Sequence, residues 1–321
     1  MTTITQFMKE NYRHFNSRET LAAARGWKQF RKDGGQMLIC MAGAMSTAEL
    51  GVSLARVIRS GAVSGICATG ANLEEDLFRM VPGPEYVDLP EYRHLSARQE
   101  EQLEKDGLHR VTDTCIPYDT MMAVENTIVG YWQQAAQRGE AFFPDEYAAR
   151  YVREYGQKHG HDKAIEHSWV AAAVEKNVPI FTPGWEDSSL GCAFTACVMN
   201  GKIPSIDVVK TGIAQAVRMV EWYRQTDAKA PIGLFQIGGG IAGDFAICIV
   251  PLILHDLKEK CRRWQYFAQI SDSTTSYGSY SGAVPNEKIT WAKISPDTPA
   301  FMIESDATIV APLIFNYLLD E

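Results

Sequence analysis

The chain lacks three features that would each assign it to a class of proteins. No apolar run reaches the ~20 residues of a membrane-spanning helix, and the longest, residues 245–254, has about half that length. Residues 1–12 include Lys9 and Glu10 and have no apolar core, so we expect no secretory signal. Basic residues are outnumbered, 31 against 39 acidic ones, which gives a net charge of −8. We therefore expect neither a membrane nor a nucleic acid as partner, because phosphate binding needs a basic surplus.

The cysteines also lack the pattern of a disulfide framework or a metal site. There are seven, an odd number; no CxxC pair occurs, and the seven histidines do not pair with them at ligand spacing. Several lie in apolar strings such as LICMAG and AICIV. We therefore expect reduced, buried cysteines, no bound metal and a cytoplasmic location.

Short apolar strings alternate with helical patterns from about residue 37 onward. Residues 37–41 and 64–68 have the pattern of buried strands, and each is followed by small or hydroxyl residues and then a helix. Further strands are expected at residues 178–182, 231–237, 266–270 and 300–303. This alternation predicts an α/β fold, Rossmann-like, with a largely parallel sheet and helices on both faces.

The predicted domain organisation is a single large domain over residues 1–321, because no linker, repeat or low-complexity tract interrupts the chain. Residues 1–36 are expected to form an N-terminal helical segment, and residues 82–176 a largely helical insertion. In the insertion, residues 82–114 should wrap the surface and residues 118–160 should be helical and exposed. A division into two domains near residue 165 is the alternative. Other helices are expected at residues 47–60, 164–176, 206–224, 246–260 and 308–319.

Residues 238–243, GGGIAG, fit the pattern G-x-G-x-x-G after a strand and before a helix. Glycines there let backbone amides approach a pyrophosphate at a helix N-terminus. The pattern comes late in the chain, however, so a tight turn that merely needs glycines is the alternative.

Two acidic motifs follow predicted strands. Asp187, in WEDSSLG, could form hydrogen bonds to a sugar or an amide of a ligand. The alternative is that Asp187 or Ser188 caps a helix. The run of residues 74–76, Glu-Glu-Asp, favours the acidic first turn of a helix.

The last two candidate motifs are a polar loop and a lysine. Residues 271–282 contain no aliphatic side chain, which suits either a flexible surface loop or a source of hydroxyls for a ligand. Lys293 lies two residues from Trp291 in an otherwise apolar string. A desolvated lysine is a nucleophile that can form an imine, whereas most lysines are solvated.

These motifs occur together, and in this order, in one known family. The chain resembles deoxyhypusine synthase, and the resemblance covers most of the sequence from about residue 37. The stretches that carry it are TGANLEEDL (69–77), PIFTPGWEDSSLG (179–191), IGGG (237–240), YGSYSGAVPNEKITWAKI (277–294) and ESDATIVAPLI (304–314).

The resemblance implies a homotetramer with active sites between subunits and NAD as cofactor. Such enzymes oxidise spermidine beside its secondary nitrogen, pass the aminobutyl group to a lysine as an imine, and deliver it to an acceptor amine. The lysine matched here is Lys293, in a tunnel walled by Trp291. The positions matched to polyamine binding are Trp291, Glu287, Ser281, Gly278, Tyr280 and Cys192. Those matched to NAD are Glu75, Thr69, Asp187, Gly239, Gly240, Asp306 and Ser46, of which Glu75, Asp187 and Asp306 should converge beside the glycines.

Departures from the family pattern bear on the reaction. Asp244 stands where the family has a histidine for proton transfer, and we include it among the catalytic residues. Cys192 replaces an acid after S-L-G, and Tyr277 and Tyr280 replace the two acids of a D-G-S-D-S-G loop. These changes favour the divergent deoxyhypusine synthase-like branch, largely bacterial, some of whose members make homospermidine.

The resemblance and its departures together predict an NAD-dependent aminobutyl transferase that acts on a polyamine such as spermidine, with a small amine as acceptor. The first alternative is a deoxyhypusine synthase that modifies a lysine of translation initiation factor 5A. A non-catalytic NAD-binding homologue is an alternative of another class, and an unrelated dehydrogenase is a further one.

Overall fold

A six-stranded parallel sheet is the centre of the fold. The computed structural model describes residues 2–82, 86–273 and 283–320. The strands in those ranges are β1 (Gln36–Met41), β2 (Gly65–Ala68), β3 (Val87–Asp88), β4 (Leu108–Val111), β5 (Thr114–Pro117), β6 (Ile180–Phe181), β7 (Ile232–Ile237), β8 (Tyr266–Ser271) and β9 (Ala300–Glu304).

The large sheet has the order β6-β2-β1-β7-β8-β9, and every pair in it is parallel. Numbered along the chain, its strands run 3-2-1-4-5-6, which is the order of the doubly wound Rossmann fold. The α/β prediction is confirmed.

Helices pack on both faces of this sheet. The helices of the described ranges are α1 (Ile4–Asn11), α2 (Phe15–Lys32), α3 (Gly51–Arg59), α4 (Gly70–Phe78), α5 (Ala97–Lys105), α6 (Tyr118–Arg138), α7 (Pro144–His159), α8 (Lys163–His167), α9 (Trp169–Lys176), α10 (Ser189–Met199), α11 (Ile213–Asp227), α12 (Gly240–Ile247), α13 (Ile249–Pro251), α14 (Glu287–Thr290) and α15 (Ala307–Leu319). In β1, Ile39 and Met41 join one apolar core and Leu38 and Cys40 the other, because successive strand residues point to opposite faces. No helix within the described ranges is long and apolar enough to cross a bilayer.

Several predicted helices have other limits. The helix expected from residue 47 begins at Gly51, because Glu49 adopts a left-handed backbone with φ of 56°. The helix expected over 206–224 is a 3₁₀ turn at Ile206–Val208 followed by α11. The helix expected over 246–260 begins earlier and changes at Pro251, which has no N–H to donate, into a π turn at Leu252–Asp256.

The insertion contains a second, three-stranded sheet, of order β3-β5-β4, that the sequence reading did not predict. Its strands β4 and β5 are joined through Thr112 and Asp113, which do not form one of the recognisable hairpin dipeptides. Residues 118–160 form two helices, not one exposed stretch, and the Trp132 and Tyr147 rings between them are buried. The cysteines are all free, but Cys192 and Cys248 are exposed, contrary to the expectation of burial.

Candidate active site at the carboxyl edge of the sheet

The strand order creates a crevice between β1 and β7. The chain leaves β1 toward one side of the sheet and returns to build the other side from β7, so the loops after these two strands diverge. Ligands of open α/β sheets bind outside the carboxyl ends of the strands at such a switch point. Residues 42–46 follow β1 and residues 238–240 follow β7 at this edge.

The glycine motif after β7 is required by the backbone and by packing. Gly238 and Gly240 have φ of 73° and 64°, in the left-handed region. A Cβ on Gly243 would lie 2.3 Å from the Nε2 atom of Gln236, so a larger residue there would displace the Gln236 side chain. The Gln236 and Gln269 amides donate to the Gly238 carbonyl at 3.1 and 3.0 Å and hold the turn. Sequence reasoning missed both glutamines, although each is a polar residue inside an apolar strand.

Asn72, which the sequence reading did not single out, connects the loop after β1 to the start of α4. It is fully buried, its Oδ1 accepts from the Ser46 amide at 3.0 Å, and its Nδ2 donates to the Thr69 hydroxyl at 2.8 Å. The Ser46 hydroxyl donates to the Asn72 carbonyl and accepts from the Trp169 indole at 2.9 Å. Ser46 and Thr69 therefore shape the crevice, while their contact with a cofactor stays a prediction.

The acidic run at residues 74–76 is not the first turn of a helix. α4 begins at Gly70, with Thr69 as its N-cap, and the three acids begin at its middle residue, Glu74. The Glu74 carboxylate accepts from the amides of Ser189 and Leu190 at 2.9 and 2.7 Å, so it caps α10 from outside. Burial raises the pKa of Glu74 to about 7.

The next two acids contact different elements. Asp76 accepts from the amides of Trp169 and Val170 at 3.3 and 3.2 Å and from the Ser168 hydroxyl, at the start of α9. Burial raises its pKa to about 7. Glu75 accepts from the Thr47 amide at 3.2 Å, and burial raises its pKa against the opposing charge of Arg79. Glu75 thus supports the loop after β1.

Asp187 and Asp306 lie at opposite ends of the carboxyl edge. Asp187 follows β6 and is exposed; it is not a helix cap, because Ser188 accepts from the Gly191 amide and caps α10. Asp306 follows β9 and caps α15 by accepting from the Thr308 amide at 2.7 Å. Five strand spacings of about 4.8 Å separate β6 from β9, roughly 24 Å in all. A ligand that meets both acids must therefore extend across the edge.

Two buried lysines act electrostatically on a partly buried carboxylate in the helix that follows the glycine turn. Lys293 is 8% exposed and Lys288 is 9% exposed, and the charges of both act on Asp244 in α12. Burial raises the pKa of Asp244, and the charges of Lys293 and Lys288 oppose that rise. Burial also lowers the pKa of Lys288 to about 8. Sequence reasoning singled out Lys293 and overlooked Lys288 in the same motif.

Trp291, by contrast, is 67% exposed, so within one chain its indole does not form the closed wall expected around Lys293. Glu287 and Cys192 are exposed as well. The expectations for Gly278, Tyr280 and Ser281 lie outside the described residues. In the ranges that are described, no group of three His, Cys, Asp or Glu side chains could hold a metal ion. A cavity of about 670 Å³ between α6, α7 and the amino end of β6 contains none of the predicted site residues.

Comparisons with known proteins agree on one family. The family model for deoxyhypusine synthase matches residues 4–318. A "Deoxyhypusine synthase-like protein" of Nostoc sp. is 30% identical over 90% of this chain and 74% of its own length. "Probable deoxyhypusine synthase 2" of Methanosarcina acetivorans is 26% identical over 95% of this chain and 83% of its own.

A crystal structure from Entamoeba histolytica, described as that of a deoxyhypusine synthase, superposes with a TM-score of 0.58. The match covers 97% of this chain and 91% of that one at 12% identity, which shows a shared fold alone. The sequence matches carry the assignment, and they confirm the resemblance read from the motifs: this chain belongs to the deoxyhypusine synthase family.

Proposed function

We propose that the protein is an NAD-dependent transferase that moves the aminobutyl group of a polyamine such as spermidine, through an imine on Lys293, to a small amine. The observation that carries this proposal is that Lys293 is buried and that its charge acts on Asp244, in the helix that follows the glycine turn. An imine forms only from an uncharged amine, and an enclosed site keeps water from hydrolysing it.

The residues around the switch point fit NAD. The left-handed glycines 238 and 240 allow a close backbone approach, and the amides at the start of α12 suit a pyrophosphate. Asp187, Gly239 and Asp306 are the groups we assign to the cofactor directly, with Glu75, Thr69 and Ser46 shaping the loop beside it. When bound, NAD accepts a hydride from the carbon next to an amine nitrogen and later returns it.

The chain's own residues supply the remaining chemistry. The Lys293 nitrogen attacks the oxidised carbon, and the Asp244 carboxylate balances positive charge in the enclosed cluster. Glu287, exposed at the mouth of the cluster, is placed to bind a substrate ammonium. The net charge of −8 favours the approach of a polycation to a protein we assign to the cytoplasm.

The direct experiment supplies the protein with NAD, spermidine and putrescine. We expect mass spectrometry to detect homospermidine and 1,3-diaminopropane in equal amounts, with no net reduction of NAD. Net accumulation of NADH without amine exchange would instead indicate a dehydrogenase. NAD binding without any product would indicate the non-catalytic homologue.

A second candidate reaction is the modification of a protein lysine. It is favoured by relatives named as deoxyhypusine synthases, such as the 25% identical protein of Archaeoglobus fulgidus, which this chain matches over 95% of its length. Adding the precursor of translation initiation factor 5A in competition with putrescine separates the two. A label from spermidine on the factor would replace our proposal with this reaction.

Asp187 provides a test of the cofactor site. We expect Asp187→Ala to weaken NAD binding by about tenfold to a hundredfold, since a ribose hydroxyl would lose a charged partner worth roughly 1.5–3 kcal/mol. Titration calorimetry measures the affinity. Glu186→Ala removes the neighbouring exposed carboxylate and should leave affinity unchanged. Equal affinities for the Asp187 variant and the parent would remove this residue from the site.

Exposed apolar side chains near the candidate site support an assembly with sites between subunits. Ile241 and Ile309 are 48% and 63% exposed in the first turns of α12 and α15, and Trp291, at the end of α14, is 67% exposed. Apolar groups left exposed together often mark contact surfaces. We expect light scattering to give the mass of a tetramer at micromolar concentration. A monomer under those conditions would contradict this part of the proposal.

A further inference from the structure

One face of α4 supports the backbone of the loop after β1. Asn72 and Glu75 in α4 and Arg79 at its C-terminal cap lie on that face, because a spacing of i, i+3 and i+7 returns to the same side of a helix. The Glu75 carboxylate accepts from the Thr47 amide at 3.2 Å, and the Arg79 guanidinium donates to the Thr47 carbonyl at 2.9 Å. Side chains of a helix therefore bond directly to the backbone of this loop.

Asn72 holds the earlier part of the same loop and uses both N–H groups of its amide. Its Nδ2 donates to the Gly43 carbonyl at 2.6 Å and to the Thr69 hydroxyl at 2.8 Å, and its Oδ1 accepts from the Ser46 amide at 3.0 Å. An aspartate of the same shape could not make these three bonds, because a carboxyl group has at most one donor when protonated and none when ionised.

The backbone that Asn72 holds is one wall of the crevice at the switch point. Residues 42–46 leave the carboxyl end of β1, and ligands of open α/β sheets bind between such a loop and its counterpart after β7. Gly43 turns the loop sharply, with φ of 69°. At the other end of the loop, the Ser46 hydroxyl donates to the Asn72 carbonyl at 2.6 Å and accepts from the Trp169 indole. The wall is therefore fixed from behind at both ends.

We propose that Asn72 is a positioning residue for the cofactor: it keeps residues 43–46 in the shape that binds NAD. This inference rests on the proposed function for the identity of the ligand. Asn72 is fully buried behind the loop, so it acts through the loop and not by touching NAD. Without its bonds, the loop would be ordered only when NAD binds, and this cost would weaken the affinity.

Asn72→Asp tests this role, because it keeps the size of the side chain and removes at least one donor. We expect titration calorimetry to give an affinity for NAD roughly tenfold weaker than that of the parent. In the transfer assay the loss should appear in KM for NAD and not in kcat, since saturating NAD orders the loop. Hydrogen exchange without NAD should be faster than in the parent in peptides that cover residues 43–47.

Leu77→Ala separates positioning from a general loss of stability. Leu77 is fully buried in the apolar core, on another face of α4, so its truncation weakens the same helix without removing a bond to the loop. We expect urea unfolding to show a lower stability for this variant, while its NAD affinity stays that of the parent. Asn72→Ala provides the same comparison if Asn72→Asp does not fold.

The titrations distinguish the failure of this inference from that of the proposed function. Unchanged NAD affinity in the Asn72 variants, or an equal loss in Leu77→Ala, would overturn the positioning role while NAD binding by the parent stands. A parent that does not bind NAD would overturn the proposed function, and the positioning role with it.

Discussion

Lys293→Ala should abolish aminobutyl transfer, with a loss in rate on the order of 10³-fold or more, because the covalent route has no other attacking group. In the parent, borohydride added during turnover with NAD and spermidine should trap an aminobutyl adduct on Lys293. Mass spectrometry of the digested protein identifies the labelled lysine, and product analysis gives the rate. The variant should keep its fold and its affinity for NAD, since the glycine turn and the acids around it are unchanged.

Two further variants serve as controls, one that keeps the charge at residue 293 and one that removes an exposed lysine elsewhere. Lys293→Arg keeps a cation at the position but cannot form an imine, so it should be as inactive as the alanine variant. Lys229→Ala removes an exposed lysine that precedes β7, at the opposite edge of the sheet, and should retain full activity. Turnover of Lys293→Ala at the parent rate, or a trapped adduct on another lysine, would show that the covalent mechanism is wrong.

The sheet could be predicted from the sequence because each of its longer strands is an apolar string followed by glycine or hydroxyl residues. β7 and β8 were placed to within one residue for this reason. The limits of the helices could not be predicted from the sequence, because contacts with residues distant in the chain decide them. The turn that delays α3 is fixed by the bond from the Thr47 amide to Glu75, and no local pattern near residue 47 indicates it.

The position of the candidate site followed from the rule that parallel strands end at one edge. The structure has the glycine turn at that edge, and the charge of Lys293 acts on Asp244 in the helix that follows this turn. What the sequence could not indicate is which polar residues support the site. Asn72 and Gln236 bond to backbone groups elsewhere in the fold, and only the packed structure brings those groups within reach.

The acidic run at residues 74–76 shows how a local rule can give the wrong partner. Acids are common in first turns because they complement the helix dipole. Glu74 and Asp76 do complement dipoles, but those of α10 and α9, to which they are not adjacent in sequence. Both carboxyl groups are buried to do so. The fold therefore carries two acids whose ionised forms it destabilises.

This burial predicts an unusual dependence of stability on pH. The pKa of Glu74 is 4.5 in an unfolded chain and about 7 in the fold, so between these values the folded state binds more protons than the unfolded state. The free energy of unfolding must then fall as pH rises through this window and level off above it. At about 1.4 kcal/mol per pKa unit, Glu74 alone accounts for about 3 kcal/mol between pH 4.5 and pH 8. Asp76 acts in the same direction.

Urea unfolding followed by circular dichroism between pH 5 and pH 8 tests this expectation. Residue 74 cannot ionise in Glu74→Gln. Between pH 5 and pH 8 we therefore expect the free energy of unfolding of this variant to fall by about 2 kcal/mol less than that of the parent. At pH 5, where a protonated Glu74 fits its site, the variant should have a lower free energy of unfolding than the parent. This difference should shrink as the pH rises toward 8. Glu186→Gln, at an exposed acid, should follow the parent throughout. Parallel curves for the parent and Glu74→Gln would mean that Glu74 is already ionised at pH 5 and that its bonds to the start of α10 outweigh the cost of burial.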